Sequence, residues 1–374
     1  MVIPRGAVFV FSLALAATGM AVAETNWTTS DTCGECHRDI YRVWRESRHA
    51  EALEQPFFLD TFRETESTRD PELAKLCLTC HAPMAVIIGD TKLERKISWE
   101  GVTCDYCHGL TTVEMARSGP QTRVEISNVK RGPIRGAEST GHEVAYSELH
   151  TRSIVCAPCH EFLNRDGVAI LTTYTEWQQS SAARRGDTCQ TCHMALTEAD
   201  VVDPRVKRSA QAQVNLHEMP GAHTIQQLLQ ALSVTIESSR EGEHLDLKLT
   251  LVNRGAGHAV PTGMPGRRIV LQVEVKAGRK THADQRVYGK QFQDASGQTV
   301  VHVADYFAGG VRLESDTRIG ADEARVESFR FPVPSDAKAS VNVRLIYEHV
   351  PRGEDQERER LVFYSERKFI GSPN

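Results

Sequence analysis

The sequence has few aromatic residues, no excess of positive charge and no long hydrophobic run beyond its first 23 residues. Aromatic side chains make up 6% of the 374 residues, and 44 basic residues stand against 49 acidic ones. A net charge of −5 argues against nucleic acid as a partner. The lack of a second apolar run predicts no membrane span in the mature chain. With 40% hydrophobic residues the chain is expected to fold, and its length suits two domains.

Residues 1–23 are predicted to be a signal peptide. Arg5 precedes an apolar run over residues 7–22, and Ala21-Val22-Ala23 has the small-x-small form of a cleavage site. The alternative is a membrane anchor, but the run is about 16 residues where a span needs about 20. The sequence therefore predicts export to the periplasm or another cell-envelope space, with a mature chain that starts at Glu24.

All ten cysteines lie in five pairs with two residues between the members of each pair, and a histidine follows each pair directly. The pairs are Cys33 and Cys36, Cys77 and Cys80, Cys104 and Cys107, Cys156 and Cys159, and Cys189 and Cys192; the histidines are His37, His81, His108, His160 and His193. In C-x-x-C-H the two thiols bind the vinyl groups of one haem, and the histidine is then placed as a proximal iron ligand. The pattern predicts five covalently bound haem c groups.

Three other uses of paired cysteines fit less well. A zinc ribbon would not need a histidine after every pair. A thioredoxin-like redox pair occurs singly in a strand-helix context, and a disulfide framework gives no reason for five trailing histidines.

Ten further histidines could supply the second axial ligands. Five of them lie in the haem-bearing stretch, which predicts five irons with two histidines each: His49, His142, His150, His217 and His223. The alternative for any one of them is a surface residue or a contact to a haem propionate. His49 lies too far along a predicted helix from His37 to share its iron, so it is expected to reach a different haem. Met84 and Met194 are expected to fill gaps against a porphyrin, with axial ligation as the alternative.

The sequence pattern changes near residue 230, which predicts two domains. Residues 24–229 are predicted to form a mostly helical or irregular multihaem cytochrome c domain, with helices near residues 38–53, 176–185 and 223–232 and a loop over residues 110–137. Residues 230–374 alternate apolar and polar side chains, as at Leu245, Leu247, Leu249 and Leu251. This pattern predicts an antiparallel β-sandwich of immunoglobulin-like size, which positions a partner and lies outside the electron path.

One loop of the second domain is rich in glycine and proline. Residues 255–268 include His258 and the pair Arg267-Arg268 between two predicted strands. These side chains either face a haem edge or its propionates, or belong to an ordinary loop between strands.

The haem region resembles the multihaem c-type cytochromes related to the cytochrome c-554 (cytochrome c-552/4) family. The resemblance covers roughly residues 31–223, over half the chain. It is carried by Cys33-Gly34-Glu35-Cys36-His37 with Tyr41, Trp44, Ser47 and His49; by residues 101–109; by His150 before Cys156-Ala157-Pro158-Cys159-His160-Glu161; and by Tyr174-Thr175-Glu176-Trp177 before residues 188–194. It implies closely stacked haems, two histidines at most irons and electron transfer, and it supports His49 and His150 most firmly as second ligands. The fifth motif and the C-terminal domain depart from the family pattern.

Two functions follow as hypotheses. The first is a periplasmic electron carrier that exchanges electrons with a protein donor and a protein acceptor through five haems. The second is an oxidoreductase that acts on a small nitrogen or sulfur compound at one open iron, because some relatives leave one iron five-coordinate. No C-x-x-C-K motif, the active-site variant of pentahaem nitrite reductases, occurs in the chain. That weakens the nearest enzyme analogy.

Overall fold

The computed structural model describes residues 27–207, 212–350 and 359–371. The predicted signal peptide at residues 1–23 lies outside these residues and stays a prediction. Among the described residues, no helix is long and apolar enough to cross a membrane.

The first part of the chain is built from short helices. Their bounds are α1 Ser30–Gly34, α2 Arg38–Arg45, α3 Pro56–Glu64, α4 Pro71–His81, α5 Pro83–Ile87, α6 Cys104–Gly109, α7 Ala157–His160, α8 Thr173–Gln179, α9 Ser181–Arg185, α10 Cys189–His193 and α11 Ile225–Ala231. A π-helical turn covers Thr65–Arg69, and 3₁₀ turns cover Lys96–Trp99, Glu148–Thr151 and Ser153–Cys156. Helices α3, α4 and α5 each begin with a proline. The first residue of a helix has no intrahelical acceptor for a backbone N–H, so proline, which lacks this group, loses no hydrogen bond there.

The predicted helices are present but shorter than expected. The helix predicted over residues 38–53 ends at Arg45, and the one over residues 176–185 is divided at Ser180. Beyond Arg45 the carbonyls are used elsewhere: His49 O accepts from Val102 N at 2.9 Å, and Ala52 O contacts the His81 ring at 2.7 Å. The chain leaves the helix because these carbonyls bind other segments.

Small strand pairs link the helices of the first part. They are β1 Leu110–Ala116 with β2 Gly119–Val124, β3 Val129–Gly132 with β4 Glu143–Tyr146, β5 Glu161–Leu163 with β6 Ala169–Thr172, and β7 Leu196–Ala199 with β8 Ala212–Asn215. The prediction of a loop over residues 110–137 was therefore wrong. Leu110 and Val113 are buried in an apolar cluster with Met84, and Gly119 takes the positive φ needed at the hairpin turn.

The second part consists of two antiparallel sheets. Its strands are β9 Leu232–Glu241, β10 His244–Asn253, β11 Arg268–Ala277, β12 Lys280–Gln293, β13 Arg312–Asp316, β14 Ala324–Pro332, β15 Ala339–Glu348 and β16 Arg360–Ile370, with helix α12 Val303–Ala308 before β13. One sheet has the order β14-β10-β9 and the other the order β13-β12-β11-β15-β16.

Alternation of apolar side chains predicted these strands, and the prediction of an antiparallel sheet region is confirmed. Leu245, Leu247, Leu249 and Leu251 of β10 are at most 1% exposed. They share one apolar core with the inward residues of β11 and β15 from the other sheet. Burial of both inner faces holds the two sheets together.

The two parts of the chain are joined by an apolar cluster and a buried lysine. Ile170 and Leu171 of β6 share a buried apolar cluster with Phe292 of β12 and Tyr306 of α12. The buried Lys290 ammonium donates to the carbonyl of Ala169 at 2.9 Å. A buried cation with backbone acceptors from the other part is costly to separate, so the interface holds the two parts in one arrangement.

Candidate haem-binding sites

The C-x-x-C-H motifs fold as short helical turns. Helices α4, α7 and α10 each end at the motif histidine, and α6 begins at its first cysteine. The side chains of Thr103 and Thr188 accept hydrogen bonds from backbone amides three residues on and so cap α6 and α10. Residues three apart on a helix share a face, so both cysteines of a pair lie on one side. Each site is named below by its first cysteine, as in the Cys33 site.

Four of the five motif histidines are oriented by backbone carbonyls. In each case Nδ1 lies within hydrogen-bonding distance of a carbonyl oxygen: His37 and Val201 at 2.6 Å, His81 and Ala52 at 2.7 Å, His108 and Arg131 at 2.6 Å, and His193 and Pro220 at 2.7 Å. A carbonyl accepts only, so Nδ1 carries the proton and the lone pair lies on Nε2. This is the arrangement by which metal-binding histidines are usually held.

Burial also keeps four of the imidazoles neutral. Desolvation lowers the pKa of His81 to about 4 and the pKa of His108 and His160 to about 3. Desolvation likewise lowers the pKa of His49 to about 4. A neutral imidazole keeps its lone pair at physiological pH, which iron binding requires.

Several histidines face a motif histidine at a separation that suits one iron. Two imidazoles bound to one metal at about 2 Å each have ring centres roughly 6 Å apart. The observed separations are 6.1 Å for His37 and His142, 6.1 Å for His160 and His49, 6.1 Å for His108 and His217, and 6.4 Å for His193 and His258. The geometry therefore fits the haem groups that the motifs imply.

His150 occupies a different position from the other candidate ligands. Its ring is 5.8 Å from that of His108, but its Nε2 contacts the Cys107 carbonyl at 2.8 Å. Cys107 belongs to the same turn as His108, so His150 contacts the proximal side of the Cys104 site. His217 instead has Nδ1 against the carbonyl of Asn215 at 3.0 Å, which leaves Nε2 for iron. His150 as a ligand stays a prediction that this geometry does not favour.

His223 and His81 do not belong to any of the four facing histidine pairs among the described residues. The His223 ring lies 4.1 Å from that of His349, and its Nδ1 is 4.0 Å from a Glu359 oxygen. The His81 ring stacks on Phe58 at 3.7 Å. Among the described residues, no histidine ring pairs with His81 at the separation seen in the four facing pairs. The Cys77 site thus differs from the others.

The loop over residues 255–268 contacts the haem region. His258 faces His193, with ring planes 13° apart. Arg267 is close enough to His81 and His160 to lower the pKa of both further. Arg268 pairs instead with Glu348. Of the two interpretations of this loop, the structure favours the one in which it faces the haem sites.

His49 is held opposite His160 by close backbone packing. Gly101 has a φ of +64°, and a Cβ there would lie 2.3 Å from the His49 carbonyl oxygen. The neighbouring Val102 amide donates to that same oxygen, and Trp44 Nε1 donates to the Val102 carbonyl at 3.1 Å. Only glycine fits at residue 101.

We expect Gly101→Ala to displace the His49 segment, because the added methyl group meets a backbone oxygen. The cost should exceed that of Gly89→Ala by about 1–3 kcal/mol, the usual range for overpacking. Gly89 is the matched control, since its φ is +73° and nothing lies within 4 Å of its added Cβ. Thermal denaturation followed by circular dichroism measures the difference. Equal melting temperatures for the two variants would show that the contact does not constrain His49.

Thiols of different sites are close enough to influence each other's pKa. Hydrogen bonding to Cys104, followed by burial, raises the pKa of Cys33. In the same way Cys80 raises the pKa of Cys159, and Cys189 raises the pKa of Cys156. The Cys33 site therefore adjoins the Cys104 site, and the Cys156 site adjoins both the Cys77 and the Cys189 sites.

Tyr106 connects the Cys104 site with the Cys156 site. It lies inside the motif of the Cys104 site and is 6% exposed. Burial, and then the nearby thiols of Cys159 and Cys107, raise its pKa. Since Cys159 belongs to the Cys156 site, that site is in contact with three others. No sequence pattern indicated this central position.

The five motifs, the orientation of their histidines and the facing imidazoles define a multihaem c-type cytochrome. Residues 32–109 match the family model described as cytochrome c554 and c-prime. These residues are therefore similar to the cytochrome c554 family, which confirms the resemblance found in the sequence.

A solved structure has the same fold over nearly the whole chain. It is a penta-haem cytochrome c552 from Thermochromatium tepidum, 22% identical, with a TM-score of 0.72. The match covers 92% of this chain and 99% of that one. CsgH of R. palustris is 11% identical over 35% of this chain and 92% of its own, but its TM-score of 0.16 supports no argument. No curated protein matches the chain.

Proposed function

We propose that this protein is a periplasmic electron carrier that holds five haem c groups. The ten motif cysteines would attach the groups, and His37, His81, His108, His160 and His193 would be the proximal ligands. When bound, haem iron supplies one-electron oxidation and reduction. Residues 1–23 would direct export and be removed.

The facing histidine pairs are the observation that carries this proposal. His142, His49 and His217 lie opposite the motif histidines of the Cys33, Cys156 and Cys104 sites. Filling both axial positions with imidazoles leaves no position for a substrate. Such a site suits electron transfer. The backbone carbonyls that accept hydrogen bonds from histidine Nδ1 tune the basicity of the imidazole ligands.

Contacts between the sites support a continuous path. Contacts between cysteines join the Cys33 site to the Cys104 site and the Cys156 site to the Cys77 and Cys189 sites. Tyr106 joins the Cys104 and Cys156 sites. The bound groups would thus be direct neighbours, with the Cys156 site at a branch point. A protein donor and a protein acceptor would exchange electrons at the ends of the branches.

We also infer two domains, with a boundary near residue 230. The strand orders β9-β10-β14 and β13-β12-β11-β15-β16 support an immunoglobulin-like sandwich, with the first, second and sixth strands of this part in one sheet. Our proposed boundary separates the cysteine-containing part from the cysteine-free sheets.

Mass spectrometry and electron paramagnetic resonance (EPR) spectroscopy test the proposed function. The denatured, iron-free protein should have the mass of residues 24–374 plus five porphyrins, because every motif is complete. The oxidised protein should show predominantly low-spin iron, as paired imidazoles produce. Fewer than five retained porphyrins, or predominantly high-spin iron, would contradict the proposal.

A second candidate function is supported by the surroundings of the Cys77 site. The Phe58 ring stacks on the His81 ring. Arg267 lies near enough to His81 to lower the pKa of this histidine. An open iron with an arginine nearby suits a reductase or oxidase of a small nitrogen or sulfur oxyanion. This candidate predicts that one iron is high-spin in the same spectrum and binds nitric oxide. A wholly low-spin protein that binds no added ligand would exclude it.

A further inference from the structure

His258 lies opposite the motif histidine of the Cys189 site. The ring centres of His193 and His258 are 6.4 Å apart. The Nδ1 of His193 is 2.7 Å from the Pro220 carbonyl, and the Nδ1 of His258 is 3.0 Å from the Ala259 carbonyl. Both rings therefore keep Nε2 for a metal. The ring separation is close to that of the three other facing pairs, but here the second histidine comes from the C-terminal sheets.

Glycines allow the His258 loop to approach the haem region. A Cβ at Gly255 would lie 1.9 Å from the carbonyl oxygen of Gln230. Gly257 has a φ of +67°, and a Cβ there would lie 3.1 Å from the Ala182 side chain. These two glycines, which both precede His258, are thus required by close contact with the first part of the chain.

Hydrogen bonds hold the loop from both sides. On the haem side, Glu176 accepts from the Ala259 amide at 3.0 Å, and the Thr173 and Thr262 hydroxyls are 2.7 Å apart. On the sheet side, the Asn253 side chain donates to the His258 carbonyl at 2.8 Å and to the Ile319 carbonyl at 3.0 Å. The position of His258 is therefore fixed relative to both parts.

An ion pair strengthens the haem-side anchor. Glu176 binds Arg318, which follows β13, at 2.7 Å, and the Arg318 side chain is 9% exposed. Arg318 also pairs with Asp316 at 2.7 Å. A carboxylate fixed in this way can hold the Ala259 amide, and with it the adjacent His258, in one place.

We propose that His258 is the second axial ligand of the iron at the Cys189 site. The C-terminal sheets would then complete a haem site, contrary to the expectation that they lie outside the electron path. The inference rests on the proposed function, because it requires a haem at that site. It makes His258 the second histidine of a fourth facing pair, a ligand role that the sequence analysis did not give to it.

The test is His258→Ala in the full-length protein. Five porphyrins should remain attached, because the thioethers do not involve the sixth ligand, and one additional iron should become high-spin in the EPR spectrum. His244→Ala is the matched control, since His244 is exposed at the start of β10 and its removal should change no iron. His258→Met provides a second variant. It should keep the iron low-spin and raise its reduction potential, as a methionine-histidine ligand pair does.

Two results would overturn the inference, and they are distinguishable. Unchanged spin states in His258→Ala and an unchanged reduction potential in His258→Met, with haem still bound to the peptide that contains Cys189 and Cys192, would exclude His258 as a ligand. A wild-type peptide that carries no haem at these cysteines would refute the proposed function at this site as well. If His258→Ala does not fold, the potential of the Met variant decides between the outcomes.

Discussion

Replacing Cys156 and Cys159 together by alanine should remove one haem and interrupt electron transfer among the other four. The Cys156 site contacts the Cys77 site through Cys80 and Cys159, the Cys189 site through Cys156 and Cys189, and the Cys104 site through Tyr106. Without this site the described contacts leave two isolated sites and one pair. Stopped-flow reduction should change from one connected process to separate phases, with part of the haem reduced slowly.

The double variant Cys189→Ala, Cys192→Ala is the matched control. It also loses one haem, but the Cys189 site contacts the others through the single pair Cys156 and Cys189. The remaining four sites stay connected, so reduction should remain a single process. Identical kinetics in the two double variants would show that the Cys156 site is not a branch point. The porphyrin mass verifies that each variant carries four groups.

Replacing His49 by alanine should turn the iron of the Cys156 site high-spin while all five haems stay attached. The ring of His49 is 6.1 Å from that of His160, and its backbone is held by Val102. Removal leaves a cavity on the ligand side that a water molecule or carbon monoxide can enter. The EPR spectrum should show one of five irons converted, and the reduced protein should bind about one more equivalent of carbon monoxide per chain.

His150→Ala provides the comparison for this variant. The sequence predicted both histidines as ligands, but His150 Nε2 contacts the Cys107 carbonyl. We expect its loss to leave the spin states unchanged and to remove only a hydrogen bond, which contributes about 1 kcal/mol. If His150→Ala creates high-spin iron and His49→Ala does not, the facing pairs have been assigned incorrectly.

The sequence was most informative about the fold and the sites where a motif or pattern has a single chemical or structural meaning. C-x-x-C-H predicts the attachment sites directly, and alternation at Leu245 to Leu251 predicted a strand whose inward residues are buried. His49 was expected to reach a haem other than its neighbour, and the structure places it against His160. That expectation rested on distance along the chain, which a helical rise determines.

Other features depend on contacts that a linear pattern does not contain. The helix expected to reach residue 53 stops at Arg45, because Gly101 and Val102 pack on the His49 backbone. The count of five spare histidines favoured His223, whereas the ring opposite His193 belongs to His258, 65 positions further along the chain. The match between five motifs and five spare histidines gave a plausible number of second ligands. Only the packing of the 255–268 loop indicates which residue faces which site.

The carbonyl acceptors of the motif histidines have a consequence for sequence variation. These hydrogen bonds are accepted by four different residue types: Val201, Ala52, Arg131 and Pro220. Each hydrogen bond uses a backbone oxygen, so a point substitution at these positions leaves the acceptor in place. An insertion or deletion that shifts the carbonyl by one residue removes it. Imidazole orientation in this protein is therefore tolerant of residue exchange and sensitive to segment length.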